Sequence, residues 1–179
     1  NELPLLKIKK FPSGSKAFDW EIPQEWIIRD AYVLDPEGKK IIDFKSNNLH
    51  LVGYSSKISK KMSLDELKKH LYTLPNQPNA IPYVTSYYQK NWGFCIEYEK
   101  YKKLKKGLYT INIDSEFKKG FLEIGEIIIP GKSKKEILFS TYICHPSMAN
   151  NELSGPALAV ALSKWLIKIK DKKYTYRII

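Results

Sequence analysis

The sequence predicts an α/β fold, α+β over the whole chain, in which a mixed sheet flanked by helices is joined to a smaller β-rich region. Three observations carry that prediction. Residues 137–143 form a nearly continuous apolar run, the pattern of a strand buried on both faces at the centre of a sheet. Leu158, Ala159, Leu162, Trp165, Leu166 and Ile169 then recur at helical spacing, and an alternating run, Tyr174 to Ile179, completes a βαβ unit. Ahead of Gly107 the chain is instead dominated by short β-forming runs separated by turns.

Taken in order, residues 5–11 are a strand, and Pro12-Ser13-Gly14-Ser15 is a turn. Residues 26–34 and 40–44 are β-forming and flank Asp35-Pro36-Glu37-Gly38, where proline presets φ and glycine accepts positive φ. They predict a hairpin, with residues 50–55 extended beyond it. Ser63 and Glu66 form a capping box, and Leu64, Leu67 and Leu71 extend the predicted helix to about residue 72. Residues 83–88 and 94–98 read as strands, and the lysine-rich stretch 99–106 as a short helix or turn. Strands follow at 108–113, 120–129 and 136–143. Pro156, at an allowed first-turn position, opens the last helix with Ser154 as its cap, giving a span of 156–170.

Composition excludes several classes. With 43% hydrophobic and 13% aromatic residues, the 179-residue chain is too apolar for disorder. No uninterrupted apolar run approaches the roughly 18 residues of a membrane span, and Asn1-Glu2-Leu3-Pro4 has no signal pattern. Cys95 and Cys144 are too few and too far apart for a disulfide scaffold or zinc finger; a cytoplasmic protein with reduced thiols is expected. The net charge of +11 invites a nucleic-acid reading, yet the only arginines are Arg29 and Arg177. Base reading and phosphate clamping favour arginine's planar fork, and these lysines are scattered, so no nucleic-acid partner and no membrane is expected. The chain starts without Met and stops on a strand, which leads us to expect more protein after it.

Chemistry concentrates in one loop, Cys144-His145-Pro146-Ser147-Met148-Ala149-Asn150-Asn151-Glu152-Leu153-Ser154-Gly155. It lies between the carboxyl end of a strand and the amino end of a helix, where ligands bind in open α/β sheets. An imidazole, two amides, a carboxylate and a hydroxyl within ten residues are ligand-type groups. Judged by spacing alone, Asn150, Asn151 and Ser154 read first as caps of a helix and His145 as bonding a turn, with the ligand reading second.

That loop, with Ser140-Thr141-Tyr142-Ile143 before it, resembles the first metal loop of two-zinc aminopeptidases such as bacterial leucyl aminopeptidases and glutamate carboxypeptidase II. Phe11-Pro12-Ser13-Gly14, Phe18-Asp19-Trp20, Trp26 to Ala31, Tyr72-Thr73-Leu74-Pro75 and Ile81 to Tyr88 resemble a bacterial aminopeptidase-like branch associated with polysaccharide biosynthesis. The resemblance covers nearly the whole chain. It implies an opening core strand in residues 1–20, an inserted β-rich domain at 21–110, and the aminopeptidase-like core at 111–179. It further implies zinc as cofactor and a peptide-like or amide-bearing small substrate; a homo-oligomer is compatible with it. His145 matches the first zinc ligand, and Asn151 falls where the superfamily has the aspartate that bridges two metals. An amide oxygen brings no charge and cannot bridge two dications as a carboxylate does; Glu152 could supply the carboxylate if the loop shifts. The remaining ligands and the catalytic glutamate are expected beyond Ile179, so no catalytic residue is assigned here. A non-catalytic binding protein on the same scaffold is the alternative.

Pro146 favours extended angles at His145, which should project the imidazole near the strand end. His50 and His70 lack ligand-spaced partners and are expected to be structural or on the surface. Cys144 is expected to be a small buried hydrophobe and not a nucleophile. Tyr83, Tyr87, Tyr88 and Trp92 are expected in the core of the β-rich domain. Asp19, Asp30 and Asp43 are isolated carboxylates at turns and strand ends.

Overall fold

The computed structural model describes residues 5–145 and 148–179. In chain order the strands are β1 (Lys7–Pro12), β2 (Lys16–Ala17), β3 (Trp20–Glu21), β4 (Glu25–Leu34), β5 (Lys40–Asp43) and β6 (Ile58–Ser63). After α1 (Leu64–Lys68) come β7 (Leu71–Tyr72), β8 (Phe94–Cys95) and α2 (Tyr98–Tyr101). The chain closes with β9 (Leu108–Lys118), β10 (Phe121–Ile129), β11 (Ser133–Phe139), α3 (Ala149–Lys168) and β12 (Tyr174–Ile178). It divides into two units: Glu25–Lys118, and the segments on either side of it, up to Gln24 and from Lys119 onward. The resemblance placed these limits at 21 and 110. The observed ones lie later because β9 runs unbroken to Lys118 and pairs with β4 back to Glu25, so a cut at 110 would split a continuous ladder.

The inner unit is built on an antiparallel sheet in the order β5-β4-β9-β6. Alternation along β9 buries Tyr109, Ile111, Ile113 and Ser115, the period of two that gives a strand one wet and one dry face. These residues meet Ala31, Val33 and Ile42 from β4 and β5, and Leu64 and Leu67 from α1. The hairpin forms at the expected turn, with Gly38 at φ +81 and Asp35 Oδ1 accepting the N–H groups of Glu37 and Lys39. The capping box at Ser63 and Glu66 is present. The helix behind it ends at Lys68, not at 72, because Leu71–Tyr72 leaves to pair in parallel with Phe94–Cys95. Nor do residues 83–88 form a strand. One bridge, Thr85 to Gly53, is all the pairing they make, and Tyr88 is 83% exposed. Tyr87 stacks edge-on to Tyr54 and Tyr88. His50 is buried, its Nδ1 donating to the Cys95 carbonyl at 2.8 Å. His70 stacks on Trp92 at 3.7 Å.

The outer unit carries a mixed sheet in the order β1-β10-β12-β11, in which only β11 and β12 are parallel. The expected βαβ unit is therefore present, with α3 as the crossover. Ile127, Ile129, Ile178 and Leu166 form its core, with Ala159, Leu162 and Ile169 packed against them. Leu158 and Trp165, expected on that face, are exposed; each sits about 100° around the helix from a packed neighbour.

In the outer unit the central strand and the start of the last helix also differ from expectation. The apolar strand is not central: β11 is the last strand of its sheet, ends at Phe139, and leaves Leu138 57% exposed. The apolar run reported residues suited to burial on both faces, but along this edge the described chain supplies no second neighbour. The last helix, in turn, begins at Ala149, two turns before Pro156, which lies inside it, and Met148 is its cap without a side-chain bond. Asn150, Asn151 and Glu152 are thus helical, and Ser154 caps nothing.

A cluster of charge ties the sheet across its strands. Arg177 on β12 forks onto Glu136 of β11 through Nε and Nη2 at 2.7 and 2.8 Å, and also meets Glu126 of β10. Lys9 of β1 completes the row on Glu126 at 2.8 Å.

Candidate metal loop

Between β11 and α3 the chain first stays beside β12: the Thr141 N–H donates to the Ile179 carbonyl, and the Ile179 N–H to that of Phe139. This carries Tyr142 to His145 past the strand end and over the first turn of α3. The close approach depends on Gly155, where a Cβ would lie 2.0 Å from Thr141 Oγ1. Opposite sits Glu152, 4% exposed and in the first helical turn, where the helix dipole favours a negative charge.

Glu152 organises the loop with both oxygens. Oε2 accepts the backbone N–H of Cys144, and Oε1 faces His145 Nδ1 at 2.5 Å. Burial pushes this carboxyl up, but the backbone N–H groups of His145 and Cys144 and the imidazole outweigh it and hold it below the usual carboxylate range. With Nδ1 oriented in this way, Nε2 is the nitrogen that would face an ion. No shift of the loop is needed to bring Glu152 in.

Cys144 joins the group. Its Sγ lies 3.8 Å from both imidazole nitrogens, and the sulfur, a ring nitrogen and a carboxylate oxygen all lie within 4.8 Å of one another. It is exposed, contrary to the buried hydrophobe expected, because β11 stops five residues earlier. Desolvation and the Glu152 charge push its thiol up, which disfavours the thiolate that a nucleophile needs; as a ligand it would lose its proton only to the charge of the ion itself. Its adjacency to His145 was the one available signal for it as a ligand, and the strand reading overrode it.

Asn151, the other candidate, stands apart from these contacts. It is exposed, and its Oδ1 accepts from the Tyr142 hydroxyl at 3.4 Å, while the Tyr142 ring lies edge-on to His145. The influence expected of Pro146 falls outside the described residues.

The donor set can be compared with the geometry that zinc requires. Two ligands at Zn–S and Zn–N lengths on one tetrahedral ion lie about 3.5 Å apart, close to the 3.8 Å observed between Cys144 Sγ and the imidazole. His145 and Cys144 fit as ligands, with Glu152 orienting the ring. A second, bridged metal does not fit Asn151, which is neutral and turned to Tyr142.

The outer unit, a mixed α/β sheet with a polar loop at the strand-to-helix junction, is interrupted between β3 and β10 by the β-rich inner unit, and known proteins share this α/β architecture. Residues 25–116, just over half of the chain, match the family described as a domain of unknown function, DUF2172, and the chain belongs to that family. It is 49% identical over 174 residues to a Clostridium acetobutylicum protein named for polysaccharide biosynthesis with an aminopeptidase-like domain. That alignment takes in 97% of this chain and 40% of the relative, so the chain spans well under half of the relative's length. A crystal structure named as a peptidase from the same organism superposes with a TM-score of 0.89 at 48% identity, over 97% of this chain and 41% of its own. An aminopeptidase from Aneurinibacillus sp. strain AM-1 matches 96% of this chain and 51% of its own at 10% identity, with a TM-score of 0.47, too low to carry an argument. No helix among the described residues is long and apolar enough to cross a membrane.

Proposed function

We propose that this chain supplies the first metal loop of a longer zinc-dependent, aminopeptidase-like hydrolase that acts on a peptide-like or amide-bearing small substrate in polysaccharide biosynthesis. The observation that supports this most directly is the His145 imidazole held through Nδ1 by a nearly buried Glu152 at the strand-to-helix junction. A carboxylate behind an imidazole is the arrangement that fixes tautomer and direction for metal ligation. His145 and Cys144 would hold the ion, which when bound would polarise the carbonyl under attack. Glu152 keeps the imidazole aimed, and its bond to the Cys144 N–H fixes the backbone that carries both donors. The remaining ligands and the catalytic base belong to the rest of the longer protein. A cytoplasmic setting accords with two cysteines that are both free.

Asn151 favours a second reading, a binding protein on this scaffold without hydrolysis, because it puts a neutral group where the resemblance has the bridging acid. Metal analysis and a peptidase assay of the full-length protein beside His145→Ala separate the two. The hydrolase reading expects zinc and amide hydrolysis in the parent and loss of both in the variant. Equal zinc in the two proteins refutes the ligand assignment, and zinc without hydrolysis selects the binding protein.

A further inference from the structure

We propose that the inner unit carries a second site, built from residues other than those of the metal loop: a pocket for a small phosphate-bearing ligand whose uncharged part is apolar or aromatic. A cavity of about 460 Å³ lies between the β4–β5 turn and the segment running from α2 to β9. That volume falls within the roughly 300–1,000 Å³ of small-molecule sites. Two lysine clusters, some 60 residues apart in sequence, line it from opposite walls. Lys39 and Lys40 come from the hairpin, and Lys100, Lys103, Lys105 and Lys106 from the other side. Apolar side chains line it as well, among them Ile41 and Leu104, both half-buried. A solvated lysine run needs neither a facing run nor an apolar lining.

The walls are fixed by contacts that leave lysine ammonium groups for a ligand. Two carboxylates also line the cavity: Asp35, whose Oδ1 accepts two backbone N–H groups of its own turn, and Glu37, which pairs with Lys105. Pro36 packs so closely on Gly107 (φ +152) that a Cβ there would lie 2.3 Å from the proline ring. The Tyr109 hydroxyl donates to the Lys105 carbonyl at 2.8 Å, pinning the second wall to the sheet. Ion pairs take up Lys40, Lys100 and Lys105, on Asp43, Glu97 and Glu37. Among the described residues, Lys39, Lys103 and Lys106 make none. Ammonium groups act as point charges with three rotatable donors and lack the planar fork that suits a single carboxylate. A phosphate monoester, at about −1.5 to −2 near neutral pH with three acceptor oxygens, satisfies several of them at once.

The test is calorimetric titration of the whole chain at low ionic strength with pyrophosphate, a nucleoside diphosphate and acetate. Two charge-matched variants are compared: Lys103→Ser with Lys106→Ser in the pocket, and Lys134→Ser with Lys135→Ser in the outer unit. Saturable pyrophosphate binding is expected, weakened at least about tenfold by the pocket pair and little by the other. The nucleoside diphosphate should bind more tightly than pyrophosphate through the apolar lining, and acetate more weakly than either. The proposal is overturned by an absence of saturable binding, by equal losses in the two variants, by acetate matching pyrophosphate, or by a nucleoside diphosphate no tighter than pyrophosphate.

Discussion

Replacing Glu152 by glutamine exchanges one oxygen for an NH₂ group and should reverse the direction in which His145 presents its proton. The carboxylate accepts at both oxygens, from the Cys144 N–H and at His145 Nδ1. A carboxamide has one acceptor and one donor end. The Cys144 N–H is an obligate donor, so the amide oxygen must turn to it and the NH₂ group must face Nδ1. Nδ1 then becomes the acceptor and the ring proton moves to Nε2, the nitrogen that would hold zinc. Loss of such an orienting carboxylate typically weakens metal affinity about 10–100-fold, and that is the loss expected for Glu152→Gln in the full-length protein. Competition with a chromophoric chelator measures the affinity, and imidazole ¹⁵N shifts of the metal-free protein report the tautomer. Affinity within about twofold of the parent, with the proton still on Nδ1, would show that Glu152 does not orient His145 and would remove the basis of the metal reading.

Gly131→Ala should destabilise the outer unit by about 1–3 kcal/mol, since its Cβ would meet backbone, 2.1 Å from the Tyr174 carbonyl oxygen. Gly125→Ala, whose Cβ meets the flexible tips of Leu6 at 3.3 Å and Ile8 at 3.9 Å, should be neutral or slightly stabilising; urea midpoints of the two variants make the comparison. The Lys9 hydrogen bond, and then Arg177, hold Glu126 below the usual carboxylate range, and Arg177 does the same for Glu136. Folded values lower than unfolded ones mean that the unfolded chain takes up protons first. The stabilisation is therefore complete above about pH 4.3 and is lost as pH falls through the folded values. Thermal unfolding across pH 3 to 6 should show an acid loss that Arg177→Met flattens; an unchanged profile would mean that the row of charges adds nothing.

What the sequence disclosed depended on how local its physics was. The hairpin at Asp35 to Gly38 and the capping box at Ser63 are settled within a few residues, and both form as the residues dictate. The βαβ order was legible because its two periodicities are long. The errors arose where distant partners decide. Leu71 leaves its helical pattern to pair with Phe94, and β11 is an edge because no further strand of the described chain lies beside it. At the site, His145 and Glu152 were picked out through resemblance, and neither spacing nor periodicity could have joined them. Their contact exists because α3 starts two turns earlier than Pro156 suggested, which turns Glu152 inward and leaves Asn151 outside. The facing lysine walls were invisible for the same reason: each run alone looks like solvated surface.

The pairing of Glu25 with Lys118 has an evolutionary corollary. The two residues at which the inner unit leaves and rejoins the surrounding chain are cross-strand neighbours, about 5 Å apart at Cα. A segment of 94 residues whose ends nearly touch can be gained, lost or exchanged as a cassette without stretching the polypeptide that hosts it, since a tight turn would bridge the same gap. Recombination could thus have given an ancestral chain the whole 94-residue unit in one step, and the two parts would then be free to diverge at different rates.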